Sequence, residues 1–257
     1  MAPVALNGAE LPDKPASTVL LVVALQAELA PMVEKLKLVE DTVSAFPAGV
    51  PWVKFSGLYK KIHVHAITPG KDEIYDVDHV GTVPASLITF AAVQAVKPDL
   101  IINAGTAGGF KRKGAKVGDV FLVTETANHD RRIPIGNFVG YGISPLVATP
   151  APNLAKELAL KEGKVSTGNS LDITPKDEEM ILANDASLKD MEGAAVAYIA
   201  DMLGVPLVLL KAVTDIVDGD RPTTEEFLEN LSTAANALTY TVPKVLDYLC
   251  EHNLSSL

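Results

Sequence analysis

Short apolar runs alternate with amphipathic stretches along this chain. TVLLVVAL, residues 18–25, is a continuous apolar run rich in β-branched residues, which marks a strand buried on both faces. The same signal predicts strands over 62–68, 100–104, 120–126, 165–167 and 206–213. Helical periodicity between them predicts helices over 83–96 (VPASLITFAAVQAV), 153–163 (NLAKELALKEG) and 192–203 (EGAAVAYIADML), and a long final helix from near Thr224. Strand and helix alternate through most of the chain. That order predicts the α/β class, a single domain over 18–257 whose central mixed, twisted β-sheet is flanked by helices on both faces. Residues 1–17, rich in Ala, Pro and acidic groups, read as a disordered N-terminal tail.

Composition narrows the partners. The 257 residues, 48% hydrophobic and 21% charged, suit one domain with a substantial core. A formal net charge of −10 opposes binding to nucleic acid or to an anionic membrane, both of which need basic patches to neutralise phosphate. The expected partner is a small molecule. The single cysteine, Cys250, permits no internal disulfide and fits a reducing compartment. The first residues lack the basic and apolar regions of a signal peptide, and no apolar run approaches the ~20 residues that span a bilayer, so a cytoplasmic location is expected.

In sheets of this kind ligands gather at the carboxyl ends of strands. Four predicted strands end there in polar or Gly-rich segments: QAELAP, GTAGGF, NSLDI and IVDGD. The turn predicted for NAGTAGGF lets main-chain N–H groups approach a ligand and adds the Thr106 hydroxyl, although it matches neither a P-loop nor a dinucleotide fingerprint and also reads as a plain tight turn. KRKGAK just after it reads as a solvated loop rather than a phosphate site. Glu28 falls in the first turn of a helix, where an acid can be a simple partner of the helix dipole, worth a few tenths to ~1 kcal/mol. Asp215 ends VLLKAVTD, a run apolar enough to bury the carboxyl and raise its pKa, unless it serves only as a turn residue or cap.

KDMEGAAVAYIADML, residues 189–203, opens with two acids at the edge of an apolar helix. Helical positions two apart point in different directions, so the two acids are not expected to share one role: one can face outward while the other reaches a site. A carboxylate accepts two hydrogen bonds and suits vicinal hydroxyls; the alternative is again a dipole partner. His63, His65, His79 and His252 lack metal-ligand spacing, and His129 reads as structural.

In order along the chain, ALQAELAP, GTVPASLITF, KPDLIINAGTAGGF, GDVFLV, HDRRIPI, DMEGAAVAY and LKAVTDIVDGDRPTTEEFL resemble the nucleoside phosphorylase and nucleosidase superfamily. Within it the resemblance is to the plant nucleosidases that cleave 5′-methylthioadenosine to adenine and methylthioribose in methionine salvage, with S-adenosylhomocysteine as a weaker substrate. It covers about residues 18–257. The resemblance implies a nucleoside phosphorylase-like fold, a small-molecule nucleoside substrate, no metal or cofactor, and a homodimer whose pocket is completed across the interface. It assigns Glu28 as the base that activates water, Asp215 as the acid that donates to purine N7, and Glu192 as acceptor of the ribose hydroxyls. Met191 would pack on the sugar, Val80 lie beside it, Thr106 stand near the attacking water, and Leu171 and Ile173 frame adenine. Phe138 and Tyr141 would come from the partner subunit.

The chemistry fits this division: an N-glycosidic bond breaks through an oxocarbenium-like transition state, helped by an acid on the leaving base and a base on the water. The chain departs from the family at Asn169, where the usual TGD has Asp, and at Lys211, which replaces the arginine of bacterial members without its planar fork. The aromatic that bacterial members supply from the C-terminal region has no evident counterpart in the sequence. Two alternatives are a phosphorylase, opposed by the repulsion between Glu28 and a phosphate dianion, and a storage protein of the same fold, opposed by the presence of all three acids.

Overall fold

A computed structural model of the protein describes residues 11–257 and, of the first ten, the backbone of the strand β1 (Val4–Ala5). The other strands are β2 (Thr18–Val22), β3 (Val39–Glu40), β4 (Val53–Tyr59), β5 (Ile62–Thr68), β6 (Leu100–Gly109), β7 (Val120–Asn128), β8 (Leu146–Val147), β9 (Lys161–Thr167), β10 (Leu188–Asp190) and β11 (Leu207–Ile216). The helices are α1 (Gln26–Leu36), α2 (Thr82–Val96), α3 (Phe138–Ile143), α4 (Pro152–Leu158), α5 (Pro175–Ala183), α6 (Gly193–Leu203) and α7 (Thr223–Glu251).

All the strands join one mixed sheet. One end is an open ribbon in the order β3-β4-β5-β2-β6. At the other end the pairings β6–β11, β11–β7, β7–β9, β9–β10 and β10–β6 close a ring of five strands. Closing the ring removes edges that would otherwise be exposed.

Alternation along the strands explains the two apolar layers. Val19 and Leu21 of β2, Ile102 of β6 and Leu210 of β11 pack with Leu29 and Met32 of α1 and with Leu238, Val242 and Leu249 of α7. Leu20 and Val22, Ile101 and Leu209 face the other way, onto Ile88 and Ala92 of α2 and Val196 and Ala200 of α6. Successive residues of a strand point to opposite faces, so a run apolar at every position is what a sheet covered on both sides requires. The predicted architecture of helices on both faces of a mixed sheet is the one observed. Among the described residues no helix is long and apolar enough to cross a membrane.

Several boundaries move, each for a local reason. The stretch 153–163 is helical only to Leu158: Ala159, in the left-handed region at φ 51°, ends α4, and Lys161–Gly163 open β9. The Gly-rich segment expected as a turn is the second half of β6, held in the sheet to Gly109 by pairing with β11. Part of the expected 1–17 tail lies outside the described residues. From Leu11 onward that expectation is corrected: Leu11 packs on the core, Pro15 bridges Asn253, and Asp99 accepts hydrogen bonds from Lys14 and Ser17. Val4–Ala5 pairs parallel with β8.

Candidate active site

The strands β2, β6 and β11 run parallel, and a cavity of about 350 Å³ lies at their carboxyl ends. It gathers residues from distant parts of the chain: Glu28, Thr106, Glu192, Lys211 and Asp215 all line it. Each is placed by backbone geometry rather than by its neighbours in sequence.

Glu28 is the third residue of α1 and only 2% exposed. Its Oε1 accepts both the main-chain N–H of Thr106 at 2.7 Å and the Thr106 hydroxyl at 2.7 Å. Among the described residues Oε2 receives only a long contact from the Leu25 N–H, at 3.4 Å, and so keeps acceptor capacity. Burial pushes the Glu28 carboxyl above its ordinary range, while the two Thr106 donors and the Lys211 charge pull the other way. Close packing here depends on Gly105, where an added Cβ would sit 3.4 Å from Lys211 Nζ and 3.6 Å from Glu28 Oε2.

Asp215 lies just past a register shift in the β11–β6 ladder, which re-aims the strand end toward the cavity. Its Oδ1 accepts from the Thr214 hydroxyl at 2.7 Å. Its Oδ2 is buried and has no hydrogen-bond partner among the described residues. An unpaired buried carboxylate oxygen is costly, and a proton on it removes most of that cost. Burial accordingly raises the Asp215 pKa, so this group is suited to deliver a proton.

The two acids of KDMEG take different positions. Asp190 does not face outward: residues 188–190 form β10 between β6 and β9, and the Asp190 side chain is buried. Its Oδ1 accepts from the Thr167 hydroxyl at 2.6 Å, and its Oδ2 from the Gly193 N–H at 2.7 Å at the start of α6 and from Lys211 Nζ at 2.8 Å. Helical geometry misled because the pair straddles the strand-to-helix junction. Glu192 precedes α6, and its Oε1 accepts from the Gly81 N–H at 2.7 Å.

That donor is set by an unusual backbone. Gly81 has φ 95°, a conformation that L side chains rarely adopt, and a Cβ there would meet Asn169 Oδ1 at 2.9 Å. Asn169 in turn accepts from the Thr82 N–H and hydroxyl, both at 2.9 Å, and donates to Asp130. The residue that departs from the family pattern therefore braces the start of α2, which holds Glu192.

Lys211, 1% exposed, is the ammonium around which Glu28, Asp190 and Glu192 gather. Three carboxylates against one cation cannot all ionise freely in a buried site. Burial, with the charges of Asp190 and Glu28 adding to it against Lys211, lifts Glu192 to about 7. A neutral ligand entering this site meets an electronegative wall, and any positive charge that develops on it is favoured.

Most of the residues assigned from the sequence do line the cavity. Met191, Thr106, Val80, Leu171 and Lys211 all border the cavity. Ile173 does not: it packs with Phe110, Ile181 and Ala186 beneath the loop, because the Thr174–Asp177 hydrogen bonds turn the chain into α5 and carry it away from the cavity. Phe138 and Tyr141 are exposed on α3, with ring centroids 6.1 Å apart, and do not line their own chain's cavity. Sequence reasoning missed Asp78, Lys189, Val217 and Phe227. Phe227, in α7, is an aromatic of the C-terminal region that lines the cavity; no local signal marks it, since only the packing of α7 on β11 brings it there.

Comparison with known proteins agrees with this geometry. The model of the phosphorylase superfamily matches residues 18–247. A 5′-methylthioadenosine nucleosidase of Arabidopsis thaliana is 56% identical over 95% of this chain and 91% of its own length. A 5′-methylthioadenosine/S-adenosylhomocysteine nucleosidase of the same plant is 52% identical over 96% of this chain and 98% of its own. The structure of Arabidopsis thaliana 5′-methylthioadenosine nucleosidase in apo form superposes with a TM-score of 0.94, covering 95% of this chain and 100% of that one. The carboxylate-lined cavity, the closed strand ring and the extent of these matches lead to one assignment: the chain belongs to the phosphorylase superfamily, on the branch of the plant 5′-methylthioadenosine nucleosidases.

Proposed function

We propose that the protein hydrolyses the N-glycosidic bond of 5′-methylthioadenosine, giving adenine and methylthioribose, as a step of methionine salvage. The observation that carries this reading is the convergence of Glu28, Glu192 and Asp215, far apart in sequence, on one nucleoside-sized cavity. Asp215, with its raised pKa and an unpaired Oδ2, donates a proton to N7 of the departing purine. Glu28, anchored by Thr106 through Oε1, uses Oε2 to take a proton from the attacking water. Glu192 accepts the ribose hydroxyls while Gly81 fixes its other oxygen. As the bond to the base breaks, positive charge grows on the sugar beside Glu28 and Glu192. The site then stabilises the transition state more than the neutral substrate, which is the condition for a faster chemical step.

The same electrostatics favour water over phosphate as nucleophile. A phosphate dianion would approach two carboxylates, and the Lys211 ammonium beside them is already engaged by Asp190. The test is incubation with 5′-methylthioadenosine and, separately, S-adenosylhomocysteine, with and without phosphate, reading free adenine. Adenine release independent of phosphate, faster from methylthioadenosine, is expected. Release that requires phosphate would replace this reading with a phosphorylase.

Glu192→Ala is expected to lower kcat/KM by about 10- to 100-fold, the range for losing hydrogen bonds to a charged group. A substrate without the 2′-hydroxyl should suffer a smaller loss from that change, and equal losses would remove the ribose role.

We propose further that the protein acts in the cytoplasm as a homodimer. Val83, Leu87 and Phe90 form an exposed apolar stripe on α2 at helical spacing, and Tyr198 and Met202 form another on α6, which packs beside it. Joined stripes of this kind mark an interaction surface, and a second copy of the chain is the simplest occupant. Phe138 and Tyr141 would then reach the neighbouring cavity. A chain carrying Leu87→Glu and Phe90→Glu should halve its mass by light scattering and lose activity; an unchanged mass would move the interface elsewhere.

A further inference from the structure

Lys189 is a buried lysine to which the proposed chemistry gives no role. It is 5% exposed, lies in β10 and lines the cavity. Its ammonium donates to two main-chain carbonyls, Ser170 at 2.6 Å and Leu171 at 2.9 Å. Both belong to the irregular segment between β9 and α5, and Leu171 itself borders the cavity. Burying a lysine is costly unless its charge is paired or hydrogen-bonded.

The register of the sheet shows what the charge faces. Lys189 pairs with Gly108 on one side of β6, and Asp215 pairs with the same Gly108 on the other. Directly paired residues share a face of the sheet, so the two side chains rise from one row, with Cα atoms about 9.6 Å apart, two strand spacings. Between them stands a residue with no side chain. The Asp215 carboxylate leans over it: a Cβ on Gly108 would fall 2.7 Å from Asp215 Oδ2. A Val217 methyl shares that space, 2.6 Å from the same point, so the carboxylate oxygen and the valine together occupy the room the glycine leaves.

We propose that Lys189 is a positioning residue for the base end of the cavity, its ammonium clamping the Ser170–Leu171 main chain as wall and setting a fixed positive charge beside Asp215 across Gly108. Its effect on turnover rests on the nucleosidase reading; the clamp and the charge do not. The surroundings on each side are specific. Around Lys189 stand Asp190 on its own strand, Asp215 on β11, Asp172 in the clamped segment, Asp177 on α5 and His129 beyond β7. Asp215 faces Lys189 from one side and Glu226 of α7 from the other. Burial raises the Asp215 pKa most, Glu226 adds to it, and the Thr214 hydroxyl and the Lys189 charge oppose it. Without the Lys189 charge, Asp215 would hold its proton more tightly and to higher pH.

Three variants separate the charge from the clamp. Lys189→Arg keeps the charge and donors, Lys189→Gln keeps a donor without the charge, and Lys189→Met keeps neither. The readouts are the pH profile of kcat/KM and the titration of the Asp215 carboxyl by carbon NMR in the free protein, assigned with Asp215→Asn. In Lys189→Gln and Lys189→Met, the carboxyl titration and the alkaline limb of the profile should both move up, by about half to one pH unit. They should stay put in Lys189→Arg. KM should rise more in Lys189→Met than in Lys189→Gln, because only the glutamine still holds the carbonyls. If Lys189→Met does not fold, Lys189→Gln alone carries the charge comparison. Titrations in the neutral variants that coincide with the parent protein's would overturn the proposal even with adenine release intact. A parent protein that releases no adenine would overturn the nucleosidase reading instead, and the NMR titration would still decide the role of Lys189.

Discussion

Asp215→Asn is expected to lower turnover of methylthioadenosine by about 10²- to 10⁴-fold, the usual worth of a positioned acid. The variant is nearly isosteric, and the asparagine oxygen can still accept from the Thr214 hydroxyl that now binds Oδ1 at 2.7 Å. It offers N7 an amide N–H, which can hydrogen-bond but not hand over a proton. Binding should therefore survive while the chemical step fails, so kcat falls far more than KM rises. The fold should survive as well, because the change exchanges one buried polar atom without a partner among the described residues for another of nearly the same size. A single-turnover measurement with a thermal melt checks both halves. Near-normal hydrolysis would strip Asp215 of the acid role.

Glu28→Gln should cost a similar factor, about 10²- to 10⁴-fold, by a different route. The glutamine carbonyl can keep both Thr106 contacts, but its amide nitrogen then occupies the place of Oε2 and cannot accept a proton from water. The amide would also point donors toward Lys211, whose ammonium lies near this carboxylate. In the parent protein Glu28 must be ionised to work. Since burial raises its pKa, activity should fall, as pH drops, at a value above the ordinary glutamate range. Asp215 must be protonated, so activity should fall again as pH rises through its own raised pKa. The expected profile of kcat/KM is a bell, and Glu28→Gln should lose the acid limb together with most of the rate. A variant that retains both would show that another group activates the water.

Much of this was legible in the sequence because the strands that build the site are long and apolar. The run 62–68 is β5 to the residue, and 18–25 and 206–213 overlap β2 and β11, the strands that lead to Glu28 and Asp215. What stayed hidden was short, charged or made by packing. Lys189 and Asp190 carried no strand signal, yet β10 is three residues long and buried between two neighbours, where each charge finds partners from elsewhere in the chain. Pro31 obscures only the extent of α1, whose first turn is read at Glu28 and which runs on to Leu36. The Gly-rich segment reads as a turn because glycine is depleted in strands. In this fold it stays in the sheet, since side chains from β11 need the room: a Cβ on Gly109 would meet Val213 at 2.9 Å and Ala115 at 2.6 Å. Helix α5, introduced by TPKDEE with a capping box at Thr174 and Asp177, carried a readable local signal and is nevertheless absent from the predicted helices.

Lys211 shows how a departure from family pattern can be absorbed. A lysine cannot fork onto two oxygens as arginine does. Here one contact, Asp190 Oδ2 at 2.8 Å, ties it to the start of α6, and its charge reaches Glu28 and Glu192 without a direct bond to either. The ammonium thus acts as a counter-charge that keeps the electronegative pocket from collapsing into full protonation.

Sugar product formed in heavy-oxygen water with phosphate present tests the central claim most directly, because it reports which nucleophile Glu28 and its neighbours admit to the sugar. Mass analysis should find methylthioribose carrying one heavy oxygen at the carbon that bore the base, in amounts matching the adenine released. Methylthioribose 1-phosphate as the product, or no cleavage at all, would contradict it.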